Sequence, residues 1–404
     1  MKIGLLKETK NPVDNRVALS PMQVASLNEK FPESEIVVQS SDIRSFKDED
    51  FRHAGVKVVD DISDCDVLFG IKEAKISTLI PNKHYFFFGH IAKMQTYNRS
   101  LLQSFLHKGI TFSDYEYLVD ENNNRVCAFG WWAGVVGVYY TLRGYGLKTH
   151  TYELPKPDIR FTLKQLLDEL KAIDLPNVRL LVTGTGRVSQ GAQYVLQEIG
   201  ACRMQESEYL SGAVVKTLSY CVANANRLVK RKNGGVYDRK HFYEYPQEYD
   251  SDFMRWANYT DILICAHFWD NNAPVYLTRE DLKSVNNHIR VIGDVTCDIM
   301  GSVKSTIRPA THAEPYYDYD PKTGMEAPLF ADMNNITVEA VDTCPNALPM
   351  DASQYFGDML IPNVIEPLLR GEGTDSAMIN GATIVKNGKL TPKFSYLKDF
   401  SEGK

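Results

Sequence analysis

A glycine-rich stretch near the middle of the chain constrains its fold most. Val182-Thr-Gly184-Thr-Gly186-Arg187-Val188-Ser189-Gln190-Gly191 follows an apolar run at 178–183 and precedes a segment of helical spacing at 189–199. A strand, a glycine turn and a helix in that order leave free backbone N–H groups at the helix start, where a phosphate is held. Gly184 allows the tight turn, and Gly186 lets the backbone approach a pyrophosphate. The spacing is G-x-G-x-x-x-x-G, with Ser189 where the third glycine usually stands. A strand–helix turn without ligand has the same local pattern, so the loop alone is a moderate signal.

Gly184, Gly186, Arg187, Val188 and Gly191 are therefore candidate dinucleotide contacts. Glu206 and Glu208 follow at the expected end of the next strand, 201–206, about 20 residues on. An acid there bonds ribose hydroxyls and favours NAD, whereas Arg187 can meet a 2′-phosphate and favours NADP. Both cues are present, and the cofactor is read as NADP or NAD. A Rossmann unit placed mid-chain implies insertion into another domain, whose first part the C-terminal segment completes.

The 404 residues suggest two or three domains. With 44% apolar and 24% charged residues the composition is globular, which excludes disordered, collagen-like and coiled-coil chains. A net charge of −6 gives no reason to expect nucleic acid or an acidic membrane as partner. Seven cysteines are scattered with no CxxC pair, so neither a metal site nor a disulfide framework is indicated, and reduced thiols are expected. The N-terminus has no signal-like apolar region, and the most apolar stretch, 131–140, is too short to span a bilayer. A cytoplasmic protein, monomeric or a small homo-oligomer, is the default.

Elsewhere short apolar runs at 3–6, 36–39, 67–71, 85–88 and 111–112 alternate with amphipathic segments such as 21–31 and 98–107. This βαβ order predicts an α/β fold with mostly parallel sheets. Residues 132–145 read as a long buried helix leading out of the first unit. The second unit adds strands at 261–266 and 290–293. Residues 208–261 are hard to read, and their basic run 227–232 is expected to be solvated surface. A mostly helical stretch, 351–370, is expected to be interrupted at Pro362. A strand pair follows near 382–389.

Several motifs occur in a telling order. They are Gly70-Ile-Lys72-Glu73, Phe88-Gly-His90-Ile-Ala-Lys93-Met-Gln95, Asp114-Tyr-Glu116, and Arg125-Val-Cys-Ala-Phe-Gly130-Trp-Trp-Ala-Gly134. The glycine loop, Gly293-Asp294-Val-Thr-Cys-Asp298 and Val341-Asp342-Thr-Cys-Pro345-Asn-Ala-Leu-Pro349 come later. From Lys2 to about Tyr396 the chain resembles the lysine-forming saccharopine dehydrogenase group of the alanine dehydrogenase and transhydrogenase superfamily. Within that group it resembles the lysine–2-oxoglutarate reductase domain of the bifunctional lysine-degrading enzyme.

The resemblance implies two Rossmann-like domains flanking a cleft. The substrate domain would comprise residues 1–131 and 338–404, and the inserted NAD(P) domain residues 132–337. It also implies a reaction: lysine, 2-oxoglutarate and NAD(P)H give saccharopine. Such chemistry needs two groups that exchange protons near neutrality. Lys72 and His90 each follow an apolar strand, at the carboxyl ends where open α/β sheets bind ligands. The resemblance makes them the acid/base pair, with Glu73, Glu116 and Asp342 tuning them. Arg16 and Arg125 are assigned to substrate carboxylates, with Lys93 a weaker candidate. The segment between Lys10 and Arg16 is one residue longer than the group's pattern and includes Pro12, so Lys10 receives no role. Asp294 and His267 follow strands of the inserted unit and are candidate cofactor contacts.

Two other readings compete. One is an alanine dehydrogenase-like enzyme using pyruvate and ammonia. The other is a dinucleotide-binding sensor without catalysis, against which Lys72 and His90 both speak.

Overall fold

The computed structural model describes residues 1–373 and 376–404. These divide into two compact units, one of Met1–Phe129 with Leu348–Lys404 and one of Gly130–Ala347. Each is an α/β unit built on its own eight-stranded sheet.

In the first unit, β1 (Lys2–Leu5), β2 (Glu35–Gln39), β3 (Val58–Val59), β4 (Val67–Lys72), β5 (His84–Phe88) and β6 (Thr111–Asp114) are parallel. They lie in the order β6-β5-β4-β1-β2-β3. The central strands are apolar throughout because helices cover both faces of a parallel sheet. Tyr85, Phe86, Phe87 and Phe88 are accordingly all buried.

The C-terminal segment belongs to this unit by pairing. Strand Thr383–Lys386 adds antiparallel to β6. Helix Pro349–Leu360 packs Phe356 against Phe88, Tyr115 and Phe129. Pro362 does not break this helix. A π-helical turn, Ile361–Ile365, widens it, and Glu366–Leu369 continues it. A widened turn leaves room for a ring that clashes in an ordinary α-helix.

The second unit opens with the helix Gly130–Thr149, of 20 residues. It is four residues longer at its C-terminal end than expected, and most of it is buried. No helix among the described residues is long and apolar enough to cross a membrane. The sheet contains β7 (Arg179–Thr183), β8 (Cys202–Arg203) and β9 (Ser219–Ala223). A separate hairpin, β10 (Val229–Arg231) and β11 (Tyr249–Ser251), interrupts the series. Strands β12 (Ile262–Cys265), β13 (Val291–Asp294), β14 (Tyr316–Asp320), β15 (Met325–Ala327) and β16 (Ile336–Glu339) complete it. The order is β15-β14-β16-β13-β12-β7-β9-β8, in which β14 runs antiparallel to both neighbours and the other strands share one direction.

The strand read at 201–206 is shorter, Cys202–Arg203, and does not lie beside β7. Instead β9 pairs with β7 and pushes β8 to the edge. Strand β9 is longer and more apolar than β8, and its inner position buries Tyr220 and Cys221. The basic run is paired locally: Arg227 meets Glu206, Lys230 meets Asp252, and Arg231 meets Glu248.

Candidate functional site

In the first unit, the candidate side chains sit where four neighbouring parallel strands end. Strand β1 stops at Leu5, opposite Phe69 of β4. The N–H groups of Ile71 and Lys72 therefore lie beyond its ladder. Glu8 supplies their acceptors: Oε1 receives Ile71 N–H at 2.7 Å and Oε2 receives Lys72 N–H at 2.9 Å. Gly70 makes room for this carboxylate, since a Cβ there would lie 3.3 Å from Glu8 Oε1. Burial, and then the charge of Asp14, push the Glu8 carboxyl well above its ordinary range.

A second buried carboxylate does the same for the next strand. Asp114, at the end of β6, accepts Gly89 N–H at 3.1 Å and Glu116 N–H at 2.9 Å. It thereby holds the backbone entering His90, which has a left-handed φ of 52°. Burial raises the Asp114 carboxyl.

Around Glu116 three cationic or titratable side chains gather. His90 Nδ1 is 3.5 Å from Oε2, while Lys93 Nζ and Arg125 Nη2 are 3.3 and 3.5 Å from Oε1. His90 Nδ1 is buried yet makes no hydrogen bond. Burial pushes Glu116 up, but His90, Lys93 and Arg125 outweigh this and bring it down to about 2. Lys93 and Arg125 are half exposed.

Lys72 and Phe88 are register partners on β4 and β5, which puts Lys72 and His90 at adjacent strand ends. Glu73 pairs with Lys10 at 2.6 Å, and its Oε2 is buried without a partner. Arg16 differs from expectation. Its guanidinium is 3% exposed, grips Asp14 at 2.9 and 2.5 Å, and stacks 4.2 Å over Phe129. Burial pushes Asp14 up, but the Arg16 charge more than offsets it and holds the carboxyl below its usual range. Arg16 thus anchors its own loop. Asp342 is exposed after β16 and belongs to the other unit.

In the second unit, Gly184 has φ +83°, and a Cβ there would lie 2.8 Å from the Ala266 carbonyl. Gly186 has open space where its Cβ would be, and it precedes the helix Arg187–Glu198. The two glycines thus leave a cradle at a helix N-terminus, which suits a pyrophosphate. A cavity of about 520 Å³ opens onto them at the carboxyl ends of β7, β9 and β12. Strand order reverses at β7, so this is the topological switch point where such sheets bind nucleotides.

Gly191 faces elsewhere: a Cβ would collide with the Trp131 carbonyl oxygen. Gly134 likewise meets the Val188 carbonyl, so both glycines serve the close crossing of two helices. Arg187 is exposed at the helix start. His267 lines the cavity but spends Nδ1 on Thr183 at 2.6 Å and Nε2 on Ser302 at 2.9 Å. Burial lowers it to about 3, so it is a neutral hydrogen-bonding strut. Asp294 is buried at the end of β13 on Thr296 and Thr306, and burial raises it to about 6. Glu206 does not end a strand beside the glycine loop. It opens the short helix Glu206–Leu210 and pairs with Arg227 and Arg255 at 3.1 Å each. It faces an adjoining cavity of about 420 Å³ with Arg203 and Asn226.

Comparison with known proteins gives these sites a family context. Residues 4–136 match the model of the alanine dehydrogenase/PNT N-terminal domain. The whole fold is similar to an L-alanine dehydrogenase, with a TM-score of 0.68 at 19% identity over 99% of this chain and all of the other. A transhydrogenase from Sinorhizobium meliloti gives 0.61 at 14% identity over 97% of this chain and all of that one. The N-terminal third thus matches that domain family, and the chain shares the fold of these two proteins.

Its sequence is similar to the mitochondrial alpha-aminoadipic semialdehyde synthase of Mus musculus, 29% identical over all of this chain and 48% of the relative. The chain spans about half the length of that relative. It is also 26% identical to the NAD(+), L-lysine-forming saccharopine dehydrogenase of Schizosaccharomyces pombe, over 90% of this chain and 92% of the other. The Schizosaccharomyces pombe relative is named for NAD(+), and the cradle at Gly184 and Gly186 fits such a dinucleotide. The residues missed in the sequence are Glu8, Asp114 as a backbone anchor, and the 224–243 wall of the cavity. Glu8 carried one signal, an acid just past the first strand.

Proposed function

We propose that this chain is an amino-acid oxidoreductase that joins L-lysine to 2-oxoglutarate and reduces the product to saccharopine, reversibly. The convergence of His90, Lys93 and Arg125 on Glu116, next to the strand end bearing Lys72, carries the reading. The named activities of the saccharopine dehydrogenase relatives support it. A nicotinamide dinucleotide held at Gly184 and Gly186 would supply the hydride for the reduction. Lys72 and His90 take the proton from the lysine ammonium and return protons to the departing water. Lys93 and Arg125 receive substrate carboxylates, because both are cationic and accessible. Glu116 stays anionic and holds these cations in place. Glu73 adds negative charge beside Lys72.

The test follows NADH and NADPH oxidation with lysine plus 2-oxoglutarate, and separately with pyruvate plus ammonium. Turnover with the first pair is expected. Turnover with the second pair alone would establish an alanine dehydrogenase-like activity instead. Tight dinucleotide binding without turnover of either would make the chain a sensor.

A further inference from the structure

The excursion between β9 and β11 carries a device that the loop motif does not include. Its hairpin, β10 and β11, brackets the short helix Arg239–Glu244. The segment is tied internally. Arg231 Nη2 lies 2.7 Å from His241 Nε2, His241 Nδ1 lies 3.2 Å from the Tyr249 hydroxyl, and Asp238 accepts His241 N–H at 2.6 Å. Phe242 is wedged between the rings of Tyr237 and Tyr249. Such packing makes a fixed wall.

That wall stands over the glycine cradle. Tyr237, Arg239, Phe242 and Tyr243 line the same 520 Å³ cavity as Gly184 and Gly186. Phe268, after β12, lines it too. Tyr243 and Phe268 remain 56% and 74% exposed although both face a cavity. Arg239 lies 5.8 Å over the Tyr243 ring and forms no ion pair among the described residues. Aromatic faces with an uncompensated guanidinium suit a planar base bearing a phosphate.

We propose that residues 225–251 form a clasp for the adenosine phosphate half of the dinucleotide. The aromatic side chains cover the base, and Arg239 binds a phosphate of the adenosine. This deepens the cofactor reading of the loop but needs no particular substrate. The phosphate is either the 5′ group of the pyrophosphate or a 2′ group, and the experiment separates them.

Calorimetry on the full chain would measure NADH, NADPH, AMP, 2′,5′-ADP and nicotinamide mononucleotide, for wild type, Arg239→Gln and Tyr243→Ala. Thermal melts would show that both variants fold. Arg239→Gln is expected to weaken the dinucleotides and adenosine phosphates about 10-fold, since a hydrogen bond to a charged group is lost. Nicotinamide mononucleotide binding should be unchanged. Greater loss for NADPH and 2′,5′-ADP assigns Arg239 to the 2′-phosphate, and equal loss assigns it to the 5′ group. Tyr243→Ala should weaken all adenosine ligands alike. Wild-type affinities in both folded variants would overturn the proposal, as would equal losses for nicotinamide mononucleotide. Because the readout is binding, a chain that fails to turn over lysine and 2-oxoglutarate leaves this result standing.

Discussion

Glu8 Oε2 holds the backbone N–H of Lys72, across 64 residues of sequence, at 2.9 Å. The same carboxylate holds Ile71, so one buried acid sets the backbone that aims the candidate base. Truncation would strand two N–H groups, at a cost of roughly 1–3 kcal/mol each. Glu8→Ala is therefore expected to lower both melting temperature and turnover. Glu8→Gln retains one acceptor and should recover most of the stability, with kcat still reduced about 10-fold by misalignment. A wild-type pH–rate profile with reduced amplitude in Glu8→Gln would mark positioning. Full kcat in Glu8→Ala would show that the contact is structural only.

The roles of Lys72, His90 and Glu116 can be separated. Lys72→Met and His90→Ala should each lower turnover by about 10²- to 10⁴-fold, the usual worth of an acid/base group. Dinucleotide affinity should stay unchanged by calorimetry. Glu116 is anionic down to about pH 2. Removing that charge lets its neighbours lose protons more easily, so Glu116→Gln should shift the acidic limb of the rate profile down by about one unit. A profile that did not move would mean that Glu116 does not tune the reacting group.

Two glycines of one motif should respond oppositely. Gly186→Ala has open space for its Cβ, so folding should survive while dinucleotide affinity falls. Gly191→Ala drives a methyl into the Trp131 carbonyl. It should cost roughly 3 kcal/mol of stability, measured by urea unfolding. If Gly191→Ala melted like wild type, the helix crossing would not depend on that close approach.

Glu339 sets a pH dependence of stability. It is buried at the end of β16, accepts Val341 N–H at 3.0 Å, and burial pushes its carboxyl up to about 8. A raised folded pKa means that its contribution is complete below the ordinary carboxylate range and is lost as pH rises toward 8. Asp294, raised to about 6, acts in the same direction. Unfolding free energies near pH 5 and pH 8.5 should show wild type weakening more than Glu339→Gln, by roughly 2–4 kcal/mol. Equal pH dependence in the two proteins would count against a buried, titrating Glu339.

Much of this molecule was legible before any coordinates. Alternating apolar runs predicted β1, β2, β4, β5 and β7 close to their observed bounds, because side-chain periodicity is a local property. The strand-end positions of Lys72 and His90 are legible for the same reason: each follows a readable strand. The strand, glycine turn and helix around Gly184 and Gly186 are legible from local spacing. Glu206 lies past the edge strand β8 and not at the end of a strand beside β7, because strand order is not written in any local pattern.

The sequence by itself therefore determined the α/β class, the glycine turn at Gly184 and Gly186, and the strand ends that carry the candidate chemistry. The tertiary structure decided what surrounds them. Only strand order brings Glu8 to Lys72 and Asp114 to Gly89. Only helix crossing turns Gly191 from the cradle to Trp131. Only burial commits Arg16 to Asp14. Periodicity and turn chemistry act over a few residues, whereas the partner of a buried charge is chosen by whichever distant segment the packed sheet places beside it.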